Sequence, residues 1–326
     1  MTSINIGFRV EGIEIVDFVQ RADELGFESV WLPEASTFEP GLCLAAAAAK
    51  SSRIKLGTSV TVVPYYHPWI LARRVVTLDH ISGGRYIFGV GVGWRPPEFE
   101  VAGVPFNARG AYTDEAVGII RTILTEGNIH HEGRFFKIPE LVGEFPRPIQ
   151  KPYPPIMIGG GVSAIHRERP AWPGARRADP EAALKRTARY GDIYAPPPFN
   201  DLPAYQYAYE QVLKYAAEEG RKMPERFMTV TLSPVNIQST VDEALADIRT
   251  RDERMGKWWK GVYRSTGNPS PEERQKFGAV GPPERCIERI KELARVPGLQ
   301  RVIVDFVSTD QSEQLERFHQ EVAPHI

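Results

Sequence analysis

Only two cysteines, Cys43 and Cys286, occur among the 326 residues, far apart and with no metal-type spacing. That scarcity argues against a disulfide framework or a zinc site, and reduced thiols in a cytoplasm are the expectation. An excess of charge of either sign is also lacking: 40 Lys and Arg against 41 Asp and Glu leave a formal net charge of −1. Without a basic surplus there is no global attraction to nucleic acid or to an anionic membrane, and neither is an expected partner. Long hydrophobic runs are missing as well. No stretch approaches the ~18–20 apolar residues needed to span a bilayer. The first residues, Met1 to Gly7, lack the charged start and apolar core of a signal peptide. What is present, 42% hydrophobic and 25% charged residues, suits a globular chain that buries a sizeable core.

Short β-branched runs alternate with longer segments of helical period, the pattern of parallel strands joined by crossover helices. Strands are predicted at Ile4–Arg9, Ser29–Leu32, Ile54–Val63, Arg85–Val92, Pro155–Ile158, Ile193–Ala195, Phe227–Leu232 and Arg301–Phe306. The stretch Gly12–Leu25 sets Ile13, Val16, Val19, Ala22 and Leu25 on one helical face and stops at Gly26. Further helices are predicted at Leu42–Lys50, Pro68–His80, Ala111–Leu124, Pro203–Glu219, Val241–Arg251, Pro283–Ala294 and Ser312–Val322. Eight strands in this alternation make one (β/α)8 TIM-barrel domain over residues 1–326, a length that such barrels reach as a single unit. Two stretches, about 162–180 and 256–281, show no regular pattern and are expected to be loops inserted at the C-terminal face.

Certain residues fall in a more specific order. Gly57-Thr58-Ser59-Val60, Tyr66-His67-Pro68 and the run from Ala72 through Leu78-Asp79-His80-Ile81-Ser82-Gly83-Gly84-Arg85 are followed by Gly89-Val90-Gly91-Val92-Gly93-Trp94, Glu98, Gly103, Arg109 and Asp114-Glu115. Together they resemble the signature of bacterial-luciferase-like oxidoreductases. Pro155 to Gly161, Ala188 to Asp192 and Gly281 to Glu284 extend the resemblance over nearly the whole chain. The resemblance implies an isoalloxazine-type ring bound at the C-terminal ends of the strands, a small organic substrate, and a homodimer.

Within that frame Ser59-Val60 is the pair expected to form a non-prolyl cis peptide supporting the ring, a bond seen in well under 0.1% of other cases. Gly91 and Gly93, at the glycine-rich end of the fourth strand, belong to the same implied cofactor site. Gly159, Gly160 and Gly161 can bring main-chain N–H groups close to a phosphate, or can simply be a flexible turn. Downstream, residues 162–190 carry seven cations, Arg189 among them, against three anions. That surplus suits an anionic cofactor tail; a solvated helix face is the plainer reading.

Three residues are candidates for proton transfer. Glu98 sits in the loop after the fourth strand, where Trp94 and Phe99 could bury it and raise its pKa; an ion-pair carboxylate is the alternative. Glu34 ends the second strand at the mouth, but Ala35 stands where relatives often carry histidine. His67 is the best placed substitute for that histidine, unless it chiefly shapes its loop. His130 and His131 adjoin an exposed hairpin and suggest no metal site.

The leading expectation is an enzyme that moves a hydride between the deazaflavin coenzyme F420 and a small organic substrate. The alternatives are an FMN-dependent monooxygenase of the same fold and a non-catalytic flavin-binding protein.

Overall fold

The computed structural model describes residues 5–9, 15–34, 38–140, 145–161, 179–259 and 269–326. Along the chain, β1 (Asn5–Arg9), α1 (Ile15–Glu24), β2 (Ser29–Leu32), α2 (Pro40–Ala48), β3 (Lys55–Thr58), β4 (Thr61–Val62), α3 (Pro68–Ile81) and β5 (Tyr86–Gly91) come first. There follow α4 (Pro96–Ala102), α5 (Arg109–Glu126), a hairpin of β6 (His131–Glu132) and β7 (Lys137–Ile138), β8 (Ile156–Gly159), α6 (Pro180–Tyr190), β9 (Ile193–Ala195) and α7 (Leu202–Glu218). The last part holds β10 (Met228–Ile237), α8 (Val241–Trp259), α9 (Pro271–Phe277), β11 (Ala279–Gly281), α10 (Pro283–Ala294), β12 (Leu299–Phe306) and α11 (Gln311–Arg317).

Every strand except the β6–β7 hairpin joins one parallel sheet in the order β11, β10, β12, β1, β2, β3, β5, β8, β9, with β4 against β5. β9 also pairs with β10, through Ile193 with Met228 and Tyr194 with Thr229. The sheet is therefore curled, as right-handed strand twist favours. β5 and β8 alternate between two apolar surroundings, which is why they read as nearly unbroken hydrophobic runs. Val30, Leu56, Phe88 and Ile158 face the helices within the main core. Trp31, Ile87, Met157, Ile193, Val230 and Ile303 form a second cluster inside the curl.

Local sequence explains the helix starts. Proline in the first turn has no N–H to lose, and an oxygen before it takes the free amides. Asp179, Asp201 and Ser270 fill that role for α6, α7 and α9, and Ser270 with Glu273 completes a capping box. At the base of the sheet, Arg85 donates to Ser82 O, Ser51 Oγ and O, Ile54 O and Ala48 O, so it ties loops together and takes no part at the mouth.

Three expectations need correction. The third strand does not run unbroken from Ile54 to Val63: β3 ends at Thr58 and β4 begins at Thr61. Glu98 lies in helix α4 and not in a loop, because Pro96 and Pro97 open a turn that Gly103, at φ +68°, closes. The stretch 256–281 is not structureless where described, since α8 reaches Trp259 and α9 and β11 follow. Residues 162–178 and 260–268 lie outside the described residues, and with them most of the first expected insertion.

Candidate active site

The break between β3 and β4 organises the mouth of the curled sheet. Ser59-Val60 is a cis peptide, as the family resemblance implies. Across the break the Thr58 hydroxyl takes over part of the ladder: it accepts from Gly89 N at 2.9 Å and donates to Gly89 O at 3.1 Å. Thr61 Oγ1 adds a third bond to it at 3.0 Å. Val60 bulges inward and packs on the inner cluster with Trp31 and Met157. It fits only because its neighbours have no side chains. A Cβ on Gly91 would lie 2.2 Å from Val60 Cγ2, and one on Gly159 would lie 2.6 Å from Val60 Cγ1.

Glu34 holds this bulge from the β2 side. Its own amide donates to Val60 O at 3.1 Å, and the Val62 amide donates to its Oε2 at 2.5 Å. The Tyr66 hydroxyl donates to the other oxygen, Oε1. Burial dominates the proton equilibrium of this carboxyl and pushes its pKa up to about 7, against the opposing pull of the Tyr66 and Val62 donors. Burial and the adjoining carboxylate drive the Tyr66 phenol far above its usual range.

A second carboxylate sits beside it on α4. Glu98 accepts from the Tyr65 hydroxyl and from Arg95 Nη1, and the Arg95 side chain is only 11% exposed. Tyr65 packs edge-on against Phe99 at 5.5 Å, and Phe99 against Phe106 at 5.1 Å, so α4 is seated on a small apolar cluster with Val62 and Val104. Phe99 does bury this helix, but Trp94 points to the rim, 41% exposed. The groups that face Glu98 are a guanidinium and a phenol, in place of the apolar wall expected from sequence.

The other candidates divide. Gly91 and Gly159 lie at the bulge. Gly93 adopts φ +72° with its Cα facing Val62 and Phe99, so it shapes the turn after β5. Gly160 and Gly161 have φ of +143° and +119°. The Gly160 amide is committed to Ala195 O at 3.2 Å and its carbonyl accepts from Tyr194 Oη at 3.0 Å, which removes one N–H of the expected phosphate nest.

His67 is exposed and caps α3, its Nδ1 accepting from Trp69 N at 3.3 Å; its ring meets Phe136 edge-on. It shapes the loop, and no bond joins it to Glu34. Arg189 lies in the last turn of α6, on the way to the start of β9, and pairs with Glu219 at 2.5 and 3.0 Å. That is the base of the sheet, opposite the mouth. Arg186 is likewise engaged, by Asp114 at 2.6 Å. Two cations of the expected basic surplus are thus neutralised by carboxylates. His131 meets Glu115 at 3.1 Å, a carboxylate that also takes the Phe135 and Phe136 amides and so pins the hairpin.

Tyr65 and Arg95 complete the site without having been singled out in the sequence, and Thr58, quoted there within the Gly57-Thr58-Ser59-Val60 motif, had been given no role of its own. The Tyr65-Tyr66 pair beside Pro64 was the available signal, but nothing in it says that each phenol meets a carboxylate from a distant element.

Comparison with known proteins bears on the family and the fold. The model of the family described as luciferase-like monooxygenase matches residues 10–300. The chain is 25% identical to a 4-hydroxyprotoasukamycin monooxygenase of Streptomyces nodosus subsp. asukaensis, over 95% of this chain and 86% of that protein. Its fold is similar to the oxygenating constituent of 3,6-diketocamphane monooxygenase from Pseudomonas putida, solved with FMN: TM-score 0.72, 22% identity, 99% of both chains. It is equally similar to the coenzyme F420-dependent tetrahydromethanopterin reductase of Methanopyrus kandleri, with TM-score 0.74, 21% identity and 99% of both chains.

Proposed function

Because the chain belongs to the luciferase-like monooxygenase family, we propose that it is an oxidoreductase that moves a hydride between coenzyme F420 and a small organic substrate, with Glu34 handling the balancing proton. The observation that carries this reading is the Glu34 carboxyl, half-buried at the mouth between the Tyr66 hydroxyl and the Val62 amide, with its pKa pushed up to about 7. Reducing a carbonyl-type carbon leaves an oxygen that needs one proton, and an acid whose pKa lies near the working pH serves best. The Tyr66 hydroxyl on Oε1 and the Val62 amide on Oε2 stabilise the carboxylate left behind. The reverse reaction uses the same group as base.

The residues present fit a planar cofactor ring. Val60, wedged between Cβ-free Gly91 and Gly159, offers an apolar shelf, and Ser59 and Val60 would hold the ring there. When bound, the ring would accept or deliver the hydride equivalent. Glu98, held by Arg95 and Tyr65, orients substrate across the mouth. Arg167, Arg169, Arg176 and Arg177, which lie outside the described residues, add to the sequence the positive charge that would suit an F420 tail, a phosphodiester and oligoglutamate chain.

The second reading, an FMN-dependent monooxygenase, is favoured by the monooxygenase that aligns over 95% of this chain. We take the whole chain as one (β/α)8 barrel, a reading supported by the β9–β10 pairing, and as a cytoplasmic homodimer. Leu42, 73% exposed on α2, and Ile70, 38% exposed on α3, support a partner surface. A monomeric mass at micromolar concentration removes the dimer.

Equilibrium binding of oxidised F420 and of FMN tests the cofactor. Tight F420 binding with weak FMN binding is the expected result. The reverse preference, with oxygen consumed in the presence of reduced FMN, moves the protein to the monooxygenase reading; binding of neither overturns both.

A further inference from the structure

The proton of Glu34 depends on a third element. The Arg74 guanidinium, from α3, lies over the Tyr66 ring at 4.6 Å from its centroid, within cation–π range. Its Nη1 is anchored 3.2 Å from Glu39 Oε1. Glu39 in turn caps α2, accepting from Leu42 N at 2.6 Å. A line of contacts therefore runs from the start of α2 through Glu39, Arg74 and the Tyr66 ring to Glu34. We propose that Arg74 is a positioning residue, which clamps the Tyr66 ring so that its hydroxyl stays on Glu34. This deepens the proposed use of Glu34 and rests on that reading for its catalytic consequence; the clamp itself rests on geometry alone.

Several charged and titratable groups act on Glu34. Tyr66 and Tyr65 approach it from the loop after β4, Glu39 from before α2, Arg74 from α3 and Tyr86 from β5. Glu39 disfavours the carboxylate and Arg74 favours it. They form one ion pair, so their fields largely offset, and deleting Arg74 alone exposes Glu34 to Glu39 while freeing the phenol to turn. Both effects bind the Glu34 proton more tightly. Arginine suits the place better than lysine, because its planar group stacks and bonds sideways at once.

The test titrates Glu34 directly, without turnover. In infrared difference spectra of the full chain, the protonated carboxyl band that disappears in Glu34→Gln is followed against pH in wild type, Arg74→Lys, Arg74→Met and Tyr66→Phe. Arg74→Met is expected to raise the midpoint by at least half a unit, about a threefold tighter proton. Arg74→Lys is expected to give a smaller rise, and Tyr66→Phe a rise that adding Arg74→Lys does not enlarge. An unmoved midpoint in folded Arg74→Lys and Arg74→Met overturns the clamp, whatever cofactor the protein uses. A moved midpoint with no matching shift in a pH–activity profile keeps the clamp and overturns the role of Glu34 in catalysis.

Discussion

The Tyr66 hydroxyl lies on Glu34, a residue 32 positions earlier, while the preceding Tyr65 lies on Glu98, 33 positions later. Tyr65 ends a 3-10 turn and Tyr66 leaves it in extended backbone, φ −127° and ψ 146°, so one dipeptide engages two carboxylates, one following β2 and one in α4. The two carboxyls are not equivalent. Among the described residues Glu34 has amide and phenol donors but no cation bonded to it, whereas Glu98 is bonded to a guanidinium.

That difference has a consequence for stability. Glu34 titrates near 4.5 in an unfolded chain and near 7 in the folded one, so the native state binds the extra proton between those values. Stability is therefore full below about pH 4.5 and declines as the pH rises to about 7. At roughly 1.4 kcal/mol per unit, the decline attributable to this group is about 3 kcal/mol at most. Urea denaturation of wild type and Glu34→Gln at a series of pH values checks this. The two curves should converge at low pH and separate in favour of the glutamine variant toward pH 7; parallel curves would show that Glu34 is not the group.

Glu98→Ala should act first on stability. It removes the Glu98 partner of the Arg95 guanidinium, and breaking such a pair costs about 3 kcal/mol when buried, less with Glu98 26% exposed. Denaturant titration should give a loss of about 1–3 kcal/mol, with Glu98→Gln losing less. If Glu98→Ala melts like wild type, the ion pair contributes nothing and α4 is held by its apolar face alone.

Much of this architecture is legible in the sequence. Ser29–Leu32 and Ile193–Ala195 coincide with their strands because β-branched and aromatic runs between turn signals are local information. The cis peptide came from the family resemblance and not from periodicity, which ran one strand from Ile54 to Val63 across it. The short strand Ala279–Gly281 went unseen, since three residues are too few to show a period. The site was legible only in part. Glu34 could be chosen because it follows a strand at the mouth, but its partners come from residues that chain proximity does not connect. Arg189 was misplaced for a related reason: a local count of charge cannot tell the end of a helix that faces the mouth from the end that faces the base.

Arg189→Ala accordingly should leave cofactor affinity within about twofold of wild type. Its ion pair with Glu219 is half exposed, 48% on the arginine side, so its removal should cost under about 1 kcal/mol. Fluorescence titration with each cofactor, alongside a melting curve, is the measurement. A loss of affinity of tenfold or more would mean that the base of the sheet communicates with the mouth in a way these contacts do not show.

Gly91→Ala tests the shelf itself. The new methyl would lie 2.2 Å from Val60 Cγ2 and 3.2 Å from Val60 Cβ. Something must shift, and overpacking of this kind typically costs about 1–3 kcal/mol. If the Val60 bulge supports the cofactor ring, affinity should fall at least tenfold along with stability. Val60→Ala in the same chain removes the clashing methyl groups, so the double variant should regain most of the stability lost by Gly91→Ala, a coupling that a double-mutant cycle measures. The cofactor term should behave differently, since the double variant restores space but not the apolar shelf. Stability rescued without affinity would place the ring on the Val60 side chain. Affinity unchanged in Gly91→Ala would remove the bulge from the binding site.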